Sequence, residues 1–229
     1  MRGSRSQPAD VAIYNTSFIE KQSIIDLSLR LEMTKQGMNI EYEATFLNID
    51  KDEMRAKLKA VGAELVRPEF MQKRVVFRLP RGHEIEGGWL RVRDEGDKIT
   101  MSLKIVDGAQ IENQKEICLK VDSFDEAVNM LEIIGCERKA FQESRRELWK
   151  LNDVEITIDE WPFLEPFVEV EGNSEELVKV VSEKLGFDYS QAYFGAVDGL
   201  YEKKYGVSKD RINNQTSEIR FDGENPFLN

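Results

Sequence analysis

The chain has 229 residues, of which 41% are hydrophobic and 33% are charged, a balance typical of a folded globular protein. A formal net charge of -11 disfavours nucleic acid and an anionic membrane as partners, because an acidic surface repels both. A single histidine, His83, and two cysteines, Cys118 and Cys136, exclude most histidine-based catalysis, most zinc sites and a disulfide framework.

The two ends of the chain differ from its middle. Residues 1–37 are expected to form an N-terminal extension, because the apolar residues between Ile25 and Met33 alternate without a clean helical period. Residues 38–206 form the predicted main domain and residues 207–229 a polar tail, loosely attached from Asn213 onward. No apolar run reaches the roughly 18 to 20 residues of a membrane span, and no signal-peptide layout is present, so the cytoplasm is the expected location.

From Asn39 onward, short segments alternate apolar and polar residues, as strands with two unlike faces do. Eight strands are predicted on this basis, over residues 39–46, 72–79, 90–93, 99–105, 116–121, 141–149, 154–159 and 167–171. Capping residues and glycine stops predict helices that begin at Asp50, Ser123 and Ser174, and a fourth helix over Ser190–Tyr205.

Eight strands with short turns indicate an α+β fold built on an eight-stranded antiparallel β-barrel. A closed barrel also removes exposed strand edges. If the amphipathic helices cover the apolar faces from outside, the charged faces line the lumen. The alternative is a β-sandwich that turns its charged faces to solvent, which alternation alone permits equally well.

The polar faces are segregated by charge from strand to strand, and this favours the inward orientation. Carboxylates pair on the first strand, at Glu41 and Glu43, and on the eighth, at Glu169 and Glu171. Cations dominate the second, third and fourth strands, as Arg74, Arg78, Arg91, Arg93 and Lys104. A solvent face would carry a looser mixture of lysine, serine, threonine and asparagine.

The strands that carry carboxylates and the strands that carry lysine and arginine together suit a metal complex of a polyphosphate. Four carboxylates held close together repel one another unless a cation offsets them, and oxygen donors of this kind suit Mg²⁺ or Mn²⁺. Arginine gives bidentate contacts to phosphate oxygens. Catalysis in such a site consists mainly of positioning and charge stabilisation.

The order and spacing of these motifs resemble the CYTH superfamily, the triphosphate tunnel metalloenzymes. Its members include class IV adenylate cyclases, thiamine triphosphatases and inorganic triphosphatases. The resemblance extends from about Met38 to Gly186, and its pieces are Glu41-Tyr-Glu43-Ala-Thr45, Leu90-Arg-Val-Arg93, Thr100-Met-Ser-Leu-Lys104, Lys115-Glu116, Arg145-Arg146, Ile158-Asp159-Glu-Trp-Pro162 and Phe167-Val-Glu169-Val-Glu171.

The resemblance implies an eight-stranded tunnel that binds a triphosphate and a divalent metal. Metal ligation is expected at Glu41, Glu43, Glu169 and Glu171, with Asp159 as a further ligand or, like Glu116, a supporting group. Phosphate contacts are expected from Arg91, Arg93, Lys104 and Arg146, and polar-face positions add Arg74 and Lys120 to the substrate-binding candidates. The catalytic candidates are Glu41, Glu43, Lys104 and Arg146.

Two positions depart from the family pattern. Thr45 stands where the first motif usually has lysine, and Ser144 stands where a basic residue often precedes Arg146 by two positions. The leading hypothesis is metal-dependent hydrolysis of a small triphosphate such as tripolyphosphate or ATP. An adenylate cyclase is the second hypothesis, and the absent lysine supports a third, a non-catalytic polyphosphate or nucleotide-binding protein. The oligomeric state stays open, a homodimer included.

Three further residues carry minor expectations. His83 lies in a glycine-containing segment and is expected to be an exposed loop residue. Trp89 is expected to pack against a helix, although it could stack on a base at the tunnel mouth. Trp161 is expected to shape the turn before the last strand.

Overall fold

The computed structural model describes residues 38–228. The expectation for residues 1–37 therefore lies outside the described part of the chain. The described residues contain ten strands: β1 Asn39–Ile40, β2 Tyr42–Phe46, β3 Glu64–Arg78, β4 Gly88–Asp94, β5 Ile99–Val106, β6 Gln114–Val121, β7 Glu137–Leu151, β8 Val154–Glu160, β9 Phe167–Gly172 and β10 Glu218–Ile219. The α-helices are α1 Lys51–Ala60, α2 Phe124–Ile133, α3 Glu175–Lys184 and α4 Asp198–Tyr205.

Nine of the strands form one antiparallel sheet in the order β1-β6-β5-β4-β3-β7-β8-β9-β2. Its two outer members, β1 and β2, are separated along the chain only by Glu41, whose N–H donates to the Gln114 carbonyl at 2.9 Å. The first predicted strand thus bridges β6 and β9 and nearly closes the barrel. Counting β1 and β2 as one strand, the predicted eight-stranded barrel is confirmed.

The helices lie on the outer faces of the barrel, as predicted. Met54 and Leu58 of α1 and Val178 of α3 pack with outward residues of β2, β7, β8 and β9, and Ala127 and Leu131 of α2 pack with those of β3 and β4. The apolar faces are therefore buried from outside, and the polar faces line the lumen.

The predicted helix starts are confirmed in the three places where capping residues marked them. The carboxylate of Asp50 accepts from the N–H groups of Asp52 and Glu53, and the hydroxyls of Ser123 and Ser174 cap α2 and α3 in the same way. Each cap satisfies donors that the first turn of a helix leaves unpaired.

Two expectations for the C-terminal part were wrong. The predicted helix over Ser190–Tyr205 is an α-helix only over Asp198–Tyr205, because Tyr193 forms a β-bridge with Thr45 and Gly195 takes a φ of 153°. The segment from Asn213 onward is not loosely attached: β10 pairs in parallel with β7, and Ile219 and Phe227 are buried. Among the described residues, no helix is long and apolar enough to cross a membrane.

Candidate functional site: a charged barrel lumen

A cavity of about 610 Å³ lies in the barrel lumen. At the end of the barrel where β4 begins and β5 ends, the exposed residues Gly87, Gly108 and Ala109 line this cavity. The cavity wall also includes residues 193–198, Asn213 and Asn214. The predicted site residues on its wall are Glu43, Arg74, Arg91, Lys104, Arg146 and Glu169.

The four paired glutamates lie on neighbouring strands. Glu43 on β2 is directly opposite Glu171 on β9, and Glu169 is opposite Thr45. Opposed residues on one face of an antiparallel pair have Cβ atoms about 4.5 to 5.5 Å apart. Glu43 and Glu171 therefore bring two carboxylates side by side on the inward face.

Burial and mutual repulsion disfavour the charged forms of these carboxylates. Burial, and secondarily Glu43, raises the pKa of Glu171 to about 7. The pKa of Glu169 is raised for the same two reasons, and burial raises that of Glu41 to about 8 although Lys104 opposes the shift. A bound cation would lower all three pKa values, so this cluster favours one.

Lysine and arginine already neutralise part of the cluster. Lys104 Nζ lies 2.8 Å from Glu41 Oε2, and an Arg146 Nη lies 2.5 Å from Glu169 Oε2. Although burial opposes it, the charge of Glu43 and then of Glu41 raises the pKa of Lys104, so this lysine stays charged. Within the described part of the chain, Glu43 and Glu171 have no lysine or arginine nitrogen within salt-bridge distance.

The Asp159 carboxylate holds the Arg146 guanidinium in place. The carboxylate accepts from Arg146 Nε at 2.8 Å and from an Arg146 Nη at 2.9 Å, and it also accepts from the Thr157 hydroxyl at 2.5 Å. Both Asp159 oxygens are thus occupied, and the side chain is fully buried. This geometry fits a residue that positions Arg146 better than a metal ligand.

Arg74 is a buried cation without a counter-ion. Its guanidinium donates to Gln72 Oε1 at 2.8 Å and to the Ser144 hydroxyl, and it stacks 4.3 Å from the ring centre of Trp161. Among the described residues it has no carboxylate partner. Burial, and then the nearby Arg91, lowers its pKa well below the ordinary value.

The other two arginines of the lumen have carboxylate partners but keep free donors. Arg91 pairs with Glu116 at 2.9 Å and Arg93 with Glu95 at 2.7 Å. Burial and the charge of Arg91 lower the pKa of Arg93 to about 10. The Nε atoms of Arg74, Arg91 and Arg93 are buried and have no acceptor among the described residues. Unpaired buried donors are costly, so this part of the lumen favours an anion.

Glu116 connects the cations to the carboxylates. Burial opposes its ionisation, but Arg91, a hydrogen bond with Glu41 and Lys104 together lower its pKa. The surroundings of this pair therefore favour ionisation of Glu116 over that of Glu41. A cation that binds Glu41 would compete with its proton.

The structure does not bring every predicted residue to the cavity wall. Lys120 is exposed on β6 and does not line the cavity, but it lies opposite Thr100, which lies opposite Arg93, so it shares the lumen face with that arginine. Arg93, Glu41 and Glu171 lie in the lumen but beside the cavity lining, in contact with residues that form it.

A preassembled metal site is not present in the described residues, where no three acidic, thiol or imidazole groups are placed so that they could hold a metal ion. The chemistry of the donor set nevertheless fits a hard divalent cation, because Glu43 and Glu171 are adjacent carboxylates without a cationic partner. Glu41 and Glu169 would complete the set by rotating away from Lys104 and Arg146.

Trp89 lines the cavity, which agrees with the alternative expected for it, a position at the tunnel mouth. The turn expected at Trp161 is present, since its carbonyl accepts from the Leu164 N–H, and its ring also lies 4.3 Å from the Arg74 guanidinium. The next segment of the wall was not predicted from the sequence. Residues 193–198 also line the cavity, held by two hydrogen bonds between the backbones of Tyr193 and Thr45 at 2.9 and 3.0 Å. The exposed loop position expected of His83 is confirmed.

A nearly closed antiparallel barrel with a charge-segregated lumen defines a tunnel-type β-protein. The chain belongs to the CYTH domain family, whose sequence profile matches residues 39–200, more than half of the chain. A search of curated protein sequences finds no significant match.

Solved structures share the fold at low sequence identity. A putative adenylate cyclase from Vibrio parahaemolyticus is similar at 15% identity and a TM-score of 0.62, over 71% of this chain and 97% of its own. A conserved hypothetical protein from Pyrococcus furiosus is similar at 23% identity and a TM-score of 0.56, over 66% of this chain and 94% of its own. A protein from Pyrococcus horikoshii is similar at 18% identity and a TM-score of 0.57, over 72% and 99%.

Proposed function

We propose that this protein binds a small triphosphate together with Mg²⁺ or Mn²⁺ in the barrel lumen and hydrolyses it. The observation that carries the proposal is Arg74, a buried guanidinium with no carboxylate partner in the described residues, on the same cavity wall as Arg91, Lys104 and Arg146. A buried charge without a counter-ion is costly, and a phosphate group would offset it.

In this proposal the basic residues of the lumen bind the phosphates and the acidic residues bind the metal. Arg74, Arg91, Lys104 and Arg146 bind the phosphate oxygens and stabilise the charge that develops on the transferred phosphoryl group. Glu43 and Glu171, with Glu41 and Glu169 after rotation, hold the divalent metal. The metal would neutralise phosphate charge and polarise phosphate oxygens when bound.

Asp159 and Glu116 act through other residues. Asp159 holds the guanidinium of Arg146 in one orientation through two hydrogen bonds, so it is a positioning residue. Glu116 holds Arg91 and shares a proton with Glu41, which couples the state of the carboxylates to that of the cations.

Binding without turnover is the second candidate function, and Thr45 favours it. The Thr45 side chain is only 3% exposed and carries no charge, so it cannot replace the lysine that the family motif usually has. An adenylate cyclase remains a third candidate, supported by the room that the cavity leaves beyond the phosphate-binding cations.

One assay separates the three functions. The protein is incubated with Mg²⁺ or Mn²⁺ and tripolyphosphate, ATP or thiamine triphosphate, and orthophosphate, pyrophosphate and cyclic AMP are measured. Orthophosphate release supports the hydrolase, cyclic AMP with pyrophosphate supports the cyclase, and tight binding without product supports the binding protein. Thr45→Lys should raise turnover if the missing lysine limits it.

A further inference from the structure

Lys139 reaches the cavity because of an irregularity in β7. Val76 on β3 pairs with Ala140, whereas the next residue, Phe77, pairs with Arg138. Lys139 is therefore the extra residue of a β-bulge and has no partner on β3. Bulges re-aim side chains, and here the bulge places Lys139 on the cavity wall.

The surroundings of Lys139 give it a positive charge that is only weakly compensated. The side chain is half-buried, and burial, then Arg78, lowers its pKa while Asp198 opposes the shift. Among the described residues, no carboxylate lies within salt-bridge distance of its amine. The carboxylate of Asp198 is already engaged, because it accepts from Asn213 Nδ2 at 2.6 Å and from the Gly199 N–H at 2.7 Å.

Lys139 lies outside the phosphate-binding cluster. Along β7 it is three residues beyond Gln142, which lies opposite Arg74, and seven residues beyond Arg146. Both Lys139 and Asp198 line the same cavity as that cluster. A ligand anchored by its phosphates at the arginines would therefore meet Lys139 with whatever extends beyond them.

The cavity has room for such an extension. Its volume of about 610 Å³ falls within the roughly 300 to 1,000 Å³ of sites that enclose drug-sized ligands, and three linked phosphates would fill only part of it. The same cavity wall offers further polar groups, from Gln142, Lys209, Asn213 and Asn214.

We propose that Lys139 is a specificity-determining residue that contacts the part of the ligand beyond its third phosphate and selects a group rich in hydrogen-bond acceptors over a cationic one. The inference rests on the proposed function, because it takes the triphosphate as already bound by the arginines. Such acceptors could belong to a nucleoside or to a further phosphate. The thiazolium group of thiamine triphosphate is the cationic group that Lys139 should disfavour.

The test compares the affinities of four ligands in the presence of Mg²⁺, each as its imido analogue so that it is not hydrolysed during the measurement: tripolyphosphate, tetrapolyphosphate, ATP and thiamine triphosphate. They are titrated by calorimetry into the wild type, Lys139→Glu, Lys139→Ala and the control Lys57→Glu. Lys57 is exposed on α1, outside the barrel, so its substitution makes the same change in net charge away from the cavity.

Reversal of the charge at Lys139 should lower the affinity ratio of ATP or tetrapolyphosphate to thiamine triphosphate by about tenfold or more, with a smaller change for tripolyphosphate. Whichever of ATP and tetrapolyphosphate loses more affinity identifies the source of the acceptors. The control should leave all ratios unchanged, and Lys139→Ala should move them in the same direction by less.

Two outcomes would overturn the inference, and they differ from failure of the proposed function. Equal losses for all four ligands would mean that Lys139 acts only on the structure of the wall. Unchanged ratios in both Lys139 variants would mean that the ligand does not reach it. If the wild type binds none of the four ligands, the proposed function itself fails.

Discussion

The guanidinium of Arg74 on β3 donates a hydrogen bond to the hydroxyl of Ser144 on the neighbouring strand β7. Ser144 stands where the family pattern often has a basic residue, two positions before Arg146. The structure therefore supplies a cation to this point of the lumen from the adjacent strand. A position that looked like a missing charge in the sequence is occupied by the side chain of Arg74.

Replacement of Arg74 by methionine should weaken tripolyphosphate binding by about tenfold or more, because a charge-assisted hydrogen bond contributes about 1.5 to 3 kcal/mol. The ligand-free protein should lose little stability, since the substitution removes a buried charge that has no counter-ion. Calorimetric titration and thermal unfolding measure the two effects. Arg138→Met, on an exposed side chain of the same barrel, is the control. Equal affinity in the two variants would contradict the role of Arg74.

Glu43→Gln and Glu171→Gln should each weaken Mn²⁺ binding, followed by the electron paramagnetic resonance signal of free Mn²⁺. Each substitution removes one carboxylate from the adjacent pair that has no cationic partner. Glu176→Gln, in the exposed first turn of α3, makes the same change outside the barrel and should leave Mn²⁺ binding intact. If all three variants bind Mn²⁺ equally, the metal does not lie between β2 and β9.

The stability of the ligand-free protein should fall as the pH rises from about 5 to 8. Burial raises the pKa of Glu171 from 4.5 to about 7 and that of Glu41 to about 8. A carboxylate whose folded-state pKa is raised contributes stability that is complete below its unfolded-state pKa and is lost as the pH rises through the folded-state value. Thermal unfolding across this range measures the loss, which should be smaller in Glu171→Gln.

Mg²⁺ should reverse this loss, and more at pH 8 than at pH 6. The metal binds only ionised carboxylates, so protons compete with it at the lower pH. The quantity measured is the increase in Tm on addition of Mg²⁺ at each pH. An increase of the same size at both values would show that the stabilising site does not include Glu41 or Glu171.

Asp159→Asn should lower triphosphate binding or turnover through Arg146. The amide keeps the volume of the side chain but loses its charge, and breaking a buried ion pair costs about 3 to 5 kcal/mol. To separate positioning from general destabilisation, affinity is measured under conditions in which the variant is fully folded. Unaltered affinity there would show that the orientation of Arg146 does not depend on Asp159.

The fold could be predicted from the sequence because strand alternation is a local property. The inward placement of Glu43 and Arg146 follows from alternation combined with helices that cover the opposite faces. The contact of Arg74 with Ser144 depends on the register between β3 and β7, which alternation does not fix. The role expected of Lys120 stays a prediction: alternation gives the face of a strand but not its position along the barrel axis, and Lys120 does not line the cavity.

The path of residues 193–198 and of the C-terminal tail was not predictable from local patterns. Residues 193–198 adopt their path because Tyr193 pairs with Thr45, about 150 positions earlier in the chain, and the tail is held by the pairing of β10 with β7. The bulge at Lys139 likewise arises from strand pairing, because the sequence around it contains neither glycine nor proline.

The most direct test of the central claim is calorimetric titration of the non-hydrolysable imido analogue of tripolyphosphate into the wild type and into the double variant Arg74→Met, Glu171→Gln, with Mg²⁺ present. We expect saturable binding of one analogue per chain in the wild type and its loss in the double variant, with both proteins folded. Equal binding by the two proteins would contradict the claim, because the ligand would then lie outside the lumen.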